Sequence, residues 1–325
     1  MTRTRRALAA AVAAGALTLS GCGIEERIVH LQPAPTENAE VGAPLRVEAA
    51  EQIAARVLSQ AAAAEGEEER AAVYTGPSLR IATARADRLG ASEAADVTTP
   101  EPPTVLAMSR GQEWPRAMLV ATMDSTTSTQ LLHVLVSTGP TERFTVYATA
   151  TMLPGSSVPG LGELSEGTAF ARASEDAPID SSAVVTEYAK ALAFPEPAET
   201  DVVGVEDPYA QSLRSNAEDQ AEAFDDLADL TRSHAPIADS VVSFETVDGG
   251  HIVFAQMTRT TVVTLTDEAK ELKIEDESLR ELSGKEVVTE SFTTEHLENV
   301  LFVAPAEGPA ELIGAEEILL RAEGS

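Results

Sequence analysis

The spacing of the apolar residues changes from helical to alternating twice along this chain, and this order restricts the fold more than any other feature. From Val47 to Ala61 apolar residues recur every three or four positions, which predicts a helix with one apolar face. A second helical pattern covers about 70–89, after a break at Gly66. Four runs rich in Val, Leu, Thr and Met follow between turn residues, and they predict antiparallel strands at 104–109, 115–124, 129–138 and 143–153.

The same order then repeats. A helix is predicted at 181–193, and Asp207 followed by Pro208 has the residue types that begin a longer helix, which we expect to reach about residue 233. Its predicted inward side chains are Tyr209, Leu213, Phe224 and Leu227, and its predicted outward acids are Glu218, Asp219, Glu222, Asp225, Asp226 and Asp229.

Strands are predicted again after this helix. Runs at 240–247 and 252–265 flank the turn sequence Asp248-Gly249-Gly250, which is typical of a hairpin. A charged helical insert at 267–282 and strands at 286–293, 299–304 and 310–321 complete the chain. Segregated helices and antiparallel strands predict the α+β class. We expect two domains, each with its own core: 47–178, ending in a Gly-, Pro- and Ser-rich linker that begins near 154, and 179–325.

The N-terminus has the organisation of an export signal. Arg3, Arg5 and Arg6 precede an apolar stretch at 8–19, which is shorter than the roughly 20 residues of a membrane-spanning helix. Leu19-Ser20-Gly21-Cys22 resembles the lipobox of bacterial lipoproteins, and Cys22 is the one cysteine of the chain. The resemblance implies cleavage of residues 1–21, acylation of Cys22 and a lipid anchor on the extracytoplasmic face of the cell membrane. The alternative is a secreted protein whose signal contains a cysteine by chance.

Residues 22–46 are expected to form a flexible tether after the lipidated cysteine. Pro33, Pro35 and Pro44 interrupt it and no apolar period runs through it. A flexible segment of this length has a root-mean-square span of about 25–30 Å, which would hold the folded part close to the bilayer.

The charge balance excludes some partners. The 325 residues include 23 Lys and Arg but 53 Asp and Glu, a net charge of −30, and loss of the three N-terminal arginines would make it −33. Such a chain is not expected to bind nucleic acid, because proteins bind the phosphate backbone through basic side chains. For the same reason it is not expected to adsorb to anionic lipid surfaces. The acidic excess is expected to keep the protein solvated.

No sequence pattern indicates a catalytic site, a cofactor or a metal. The five histidines are scattered, and Glu295-His296 with Glu298 has no further ligand at a suitable spacing. The stretch 155–160 fails as a Gly-x-Ser-x-Gly nucleophile motif because Pro159 occupies the position of the second glycine. The interpretation that follows is a protein without catalysis, although an enzyme is not excluded.

The run from Arg110 to Arg116, which contains the one tryptophan and leads into an apolar strand, is similar to a family of actinobacterial lipoproteins of unknown function. The order of elements resembles tandem NTF2-like or cystatin-like domains, in which a curved sheet wraps around a helix. We select Trp114 and Arg116 as candidate binding residues. The alternative for Trp114 is a structural role at one end of the sheet core.

The predicted function is therefore a lipid-anchored binding or scaffold module of the cell envelope, contacting the membrane through Cys22 and an envelope protein or a small ligand through its folded part. Two alternatives remain: an envelope enzyme that uses a pocket carboxylate, and a carrier of a small apolar ligand. The interior of each sheet distinguishes them, because a strongly perturbed carboxylate favours the enzyme and a wholly apolar cavity favours the carrier.

Overall fold

The computed structural model describes residues 42–89, 102–124, 127–172 and 180–325. The predictions for the signal peptide 1–21, for Cys22 and for nearly all of the tether lie outside these residues. From Val41 onward the chain packs as one compact unit. Whether 47–178 and 179–325 are separate domains that each fold alone stays a prediction.

Six helices lie in the described part of the chain, and their sequences account for their positions. The apolar stripe of the first helix is buried, including Ala50, Ala54 and Val57. Asp207 caps the fifth helix as predicted, since its side chain accepts a hydrogen bond from the backbone N–H of Ala210 and Pro208 follows it. The helices are α1 (Val47–Ala62), α2 (Glu67–Val73), α3 (Gly76–Leu89), α4 (Ser181–Ala191), α5 (Pro208–Phe224) and α6 (Glu277–Ser283).

The first sheet is a four-stranded antiparallel meander in the order β1-β2-β3-β4. Side chains alternate across it: Ala117, Leu119 and Ala121 enter a cluster shared with the second sheet, while Met118 and Val120 pack on the side of α1. Its strands are β1 (Thr104–Met108), β2 (Arg116–Asp124), β3 (Thr129–Ser137) and β4 (Thr145–Thr151).

The second sheet is larger and also antiparallel. Its strands are β5 (Phe170–Arg172), β6 (Ala228–Pro236), β7 (Val242–Glu245), β8 (His251–Leu265), β11 (Ser291–Ala304) and β12 (Glu311–Gly324), in the order β12-β11-β8-β7-β5. The short β7 and the longer β6 both pair with β8, along its first and second halves. Between β8 and β11, β9 (Leu272–Lys273) and β10 (Val287–Val288) form a two-stranded ribbon.

The two sheets pack face to face. The cluster between them contains Leu119 and Leu132 from the first sheet and Phe254 and Leu301 from the second, all almost completely buried. On the outer side of the first sheet lies α1, and on the outer side of the second lie α4 and α5. Each half therefore has a hydrophobic cluster of its own, but the central cluster belongs to both.

The α+β class is confirmed: the chain combines helices with curved antiparallel sheets. The strands predicted at 286–293 and 299–304 are instead the short β10 and one continuous strand, β11, which pairs along its whole length with β8. The insert predicted as helical over 267–282 contains β9 and is helical only in α6. The finer prediction of two tandem NTF2-like domains remains a prediction. One strand crosses the expected boundary, because β5 lies within the range 47–178 predicted for the first domain but pairs with β7 in the second sheet.

The predicted extent of the helix after Asp207 is wrong. The helix α5 ends at Phe224, Asp225 takes a positive φ of 48°, and after a short 3-10 turn the chain continues as β6. Leu227, predicted to face inward, is 51% exposed. The helical spacing of residues 224, 227 and 230 competes with an alternating pattern over 228–234. The alternating pattern prevails because β6 gains a full hydrogen-bonded ladder with β8.

Candidate anion-binding cavity

A cavity of about 830 Å³ lies on the outer side of the second sheet. Residues of β6, β8, β11 and β12 form its floor, and one face of α5 with the segment around β9 and α6 forms its walls. Two arginines from the end of α3, Arg85 and Arg88, also line it. Its volume lies in the range of known small-molecule sites.

The register of the strands arranges the floor in rows, because residues directly opposite each other share a face. Arg259 on β8 is flanked by His234 on β6 and His296 on β11. Two residues further along β8, Thr261 lies between Arg232 and Thr294. These two rows form a polar end of the floor.

The next row is apolar. Val263 lies between Leu230 and Phe292, and all three are buried. Leu279 from α6 and Phe224 from α5 pack around the same hydrophobic cluster. The cavity therefore changes from basic and polar to apolar along a single direction, parallel to β8.

Arg232 is the most unusual side chain of the cavity. It is only 6% exposed, and its guanidinium donates to three neutral oxygens: the carbonyl of Leu213 at 2.6 Å, the hydroxyl of Thr261 at 3.3 Å and the side-chain amide of Asn216 at 3.3 Å. No carboxylate of the described residues forms an ion pair with it. Burial first, and the charge of Arg259 second, lower its pKa. A buried cation without a counter-charge is costly, so this position favours an anion.

Glu298 lies beyond the polar rows and is completely buried. Its Oε2 is 2.8 Å from Nδ1 of His234, and its Oε1 is 2.7 Å from the hydroxyl of Tyr209 and 3.2 Å from Nη1 of Arg259. Burial acts to raise the pKa of Glu298, but the hydrogen bond and charge of His234, with the charge of Arg259, outweigh it and hold that pKa below its ordinary value. Because an ionised carboxylate only accepts hydrogen bonds, Nδ1 of His234 carries a proton.

Arg259 connects this buried group to the cavity. Its Nη1 also lies 2.8 Å from Oε2 of Glu317, while its Nε is buried and has no partner among the described residues. Burial acts to lower its pKa, but Glu298 and Glu317 raise it, so the guanidinium stays charged. Burial, followed by the charge of Arg259, lowers the pKa of the adjacent His296 to about 4, so that imidazole is neutral at pH 7.

The lining of the cavity has the opposite charge balance to the chain. Five of the 23 basic residues line it, against three acidic ones, in a protein with a net charge of −30. Of the acidic residues, Glu317 is bound to Arg259 and Asp276 caps α6. The side chains of Arg88 and Lys273 form no hydrogen bond or ion pair with any other described residue. The basic lining consists of Arg85, Arg88, Arg232, Arg259 and Lys273.

A smaller cavity of about 230 Å³ lies beside the first sheet, and Arg85 lines both cavities. His133 on β3 projects into it and bonds the hydroxyls of Thr122 and Thr149 at 2.8 and 3.0 Å. Burial lowers the pKa of His133 to about 4. Both ring nitrogens are occupied by neutral partners, so this histidine has the role of a satisfied core residue.

The residues selected from the sequence lie elsewhere. Trp114 and Arg116 are half-buried just before and at the start of β2, where Cζ of Arg116 lies 4.3 Å from the centre of the tryptophan ring. Neither lines the large cavity, and their role in binding stays a prediction. Cys22 lies outside the described residues.

Sequence reasoning did not select the residues of the cavity. The sequence indicated only a possible metal site at Glu295, His296 and Glu298. No group of three such side chains among the described residues is arranged to hold a metal. The sequence did contain one indication of a polar site on a strand, the alternation of Leu230, Arg232 and His234. Charged residues are unusual at the inward positions of a strand.

No helix within the described ranges is both long enough and apolar enough to cross a membrane. No protein-family model matches the chain, and the searches found no curated protein and no solved structure similar to it.

Proposed function

We propose that this protein is a lipid-anchored binding module of the cell envelope that holds a small anionic ligand in the cavity of its second sheet. The observation that carries the proposal is Arg232, which is buried on the cavity floor and has no carboxylate partner among the described residues. The charges of Glu298 and Glu317 act on Arg232 without a direct ion pair. An anion in the cavity would form that pair, and charge-assisted hydrogen bonds of this kind are among the stronger ones in proteins.

The alternative of an enzyme with a pocket carboxylate has less support. A general base needs a pKa raised towards neutrality and a free lone pair that faces the substrate. Glu298 has a lowered pKa, and His234, Tyr209 and Arg259 already occupy its two oxygens. Its arrangement is that of a group that fixes Arg259 in position.

The alternative of a carrier for a purely apolar ligand also has less support. Five basic side chains line the cavity, and an apolar ligand that filled it would leave Arg232 without water or an ion-pair partner. Desolvating a charge without compensation costs several kcal/mol, which would exceed the gain from the contacts of most small ligands.

Binding is tested by thermal unfolding of the folded part in the presence of three anionic probes: inorganic phosphate, succinate and octyl phosphate. At least one is expected to raise the unfolding midpoint of the wild-type protein. The shift should be lost in Arg232→Gln and retained in Arg321→Gln, a control on β12 whose side chain is 60% exposed and is not part of the cavity. If none of the probes raises the midpoint, or if Arg232→Gln keeps the full shift, the proposal is wrong.

The anchor is tested separately with Cys22→Ser in the full-length chain. Without the thiol, acylation cannot occur, so the variant should accumulate as precursor or as protein released from the membrane. The wild-type protein should resist an alkaline wash of the membranes. Equal retention of both proteins after the wash would contradict the lipid anchor.

A further inference from the structure

From the two-part lining of the cavity we propose that its ligand is an amphiphile, with a phosphate or carboxylate head on the basic rows and a single apolar chain over the Val263 row. This inference rests on the proposed function, since it specifies the chemistry of the anion that the cavity binds. The argument depends on three features: the head site, the apolar site and the distance between them.

The head site is formed by two arginines that differ in what they have left to donate. Arg232 has only neutral acceptors, and Arg259 has a buried Nε without a partner among the described residues. Thr261 and Thr294 lie in the row of Arg232 and belong to the same floor of the cavity. Guanidinium and hydroxyl donors together suit an oxyanion, which accepts several hydrogen bonds at once.

Glu298 and Glu317 hold one arginine of this head site in place and leave the other, Arg232, without a direct ion pair. They bind Nη1 of Arg259 from one side, which holds its guanidinium in a single orientation. Neither carboxylate forms an ion pair with Arg232. A preorganised cation costs less entropy when it binds its ligand.

The apolar site follows on the same face of the sheet. Val263 and Phe292 form its floor, and Leu272, Ile274 and Leu279 line it from the β9–α6 segment. These side chains all belong to one hydrophobic cluster. Val263, Ile274 and Phe292 are buried, whereas Leu272 and Leu279 are half-buried. An alkyl chain would cover the part of this surface that remains in contact with water, and free phosphate would not.

The dimensions of the cavity agree with a single chain of moderate length. Four residues along β8 separate Arg259 from Val263, which corresponds to about 13 Å at the usual rise of a strand. An extended octyl phosphate, head group included, has a comparable length. The cavity volume of about 830 Å³ also leaves room for the head group and several waters.

The test compares octyl phosphate with methyl phosphate by isothermal titration calorimetry of the folded part. Each buried methylene contributes about a fourfold gain in affinity, so burial of only about three or four of the additional methylenes makes octyl phosphate bind about 100-fold more tightly. The affinities for octanoate and acetate are measured as a second pair. Comparing the two pairs shows whether the head site prefers a phosphate or a carboxylate. Both pairs are measured below the aggregation concentration of the amphiphile.

Two variants distinguish the contribution of the head site to the affinity from that of the apolar site. Arg232→Gln should weaken both phosphate esters by at least about 10-fold, because each loses the same charge-assisted contact. In Val263→Thr the new side chain has almost the same shape as valine but carries a hydroxyl. The affinity for octyl phosphate should fall about 10-fold, while the affinity for methyl phosphate should stay unchanged. If Val263→Thr does not fold, Leu279→Ser on the partly exposed α6 serves the same purpose. Arg321→Gln remains the control.

The outcomes distinguish this inference from the proposed function. Equal affinity for the octyl and methyl esters, both dependent on Arg232, would overturn the amphiphile and leave the anion site in place. Binding of octyl phosphate that is unaffected by Arg232→Gln would overturn both, since the amphiphile would then lie elsewhere. Absence of binding by every probe would also overturn both. Tail-dependent affinity that Val263→Thr and Arg232→Gln each reduce supports the inference.

Discussion

Glu298→Gln is the substitution that most directly tests the buried charge network beside the cavity. The side chain keeps its shape but loses its charge and exchanges one acceptor oxygen for an NH₂ donor. Three donors currently converge on the carboxylate, from His234, Tyr209 and Arg259. One of them must therefore lose its acceptor, and Arg259 loses one of its two counter-charges.

The expected cost is about 3 kcal/mol in the free energy of unfolding. Removing one member of a buried ion pair typically costs about 3–5 kcal/mol. The lower end applies because His234 can change tautomer and accept a hydrogen bond from the new amide, and because Arg259 keeps Glu317. Glu298→Ala also removes packing atoms and should reach the upper end of that range.

Urea unfolding followed by circular dichroism measures this difference, with Glu317→Gln as the matched control. The Glu317 side chain is 40% exposed, so its loss should cost no more than about 1 kcal/mol. If Glu298→Gln lowered the free energy of unfolding no more than Glu317→Gln does, the buried carboxylate would not be the ionised centre of the network. The inference that Glu298 holds Arg259 in place would then be wrong.

Three further predictions concern the rest of the fold. The pKa of His133 is about 4 in the folded protein and about 6.5 in the unfolded chain. Its contribution to the free energy of unfolding is therefore complete above about pH 6.5, and up to about 3 kcal/mol is lost as the pH falls to about 4. His133→Gln should flatten this part of a pH titration of the unfolding free energy, whereas an unchanged slope would contradict the burial of the neutral imidazole. Asp207→Ala removes the cap of α5 and should cost about 1–2 kcal/mol by urea unfolding, while Asp207→Asn, which still caps, should cost less. Leu230→Ser should cost more than about 2 kcal/mol and Leu227→Ser less than about 0.5 kcal/mol, because the first is 5% and the second 51% exposed; the reverse order would favour the continuous helix.

The sequence alone was sufficient for most of the secondary structure. The stripe of α1, the cap at Asp207, the turn at Asp248–Gly250 and the alternating runs of both sheets are local patterns, and each was recognised within a dozen residues. Local patterns succeed where only one periodicity is present, because hydrophobic burial then has a single solution.

The end of α5 shows where this reasoning stops. Residues 224–234 satisfy a helical and an alternating pattern at once, and nothing local decides between them. The decision comes from β8, whose second half offers β6 an unpaired edge of nine residues. A partner that lies about thirty residues away in the chain is invisible to a pattern of short range.

The candidate cavity depended on the tertiary structure still more. Arg232, Arg259 and Glu298 are far apart in the sequence and resemble any other charged residues in an acidic chain. Only the register of β6, β8 and β11 places them on one face, and only the cover of α5 removes them from water. The composition determined that the protein has a strongly acidic chain, but the pairing of strands decided where its few basic side chains are concentrated. The physical reason is that charge is a property of each residue, whereas burial and proximity arise only when distant segments pack together.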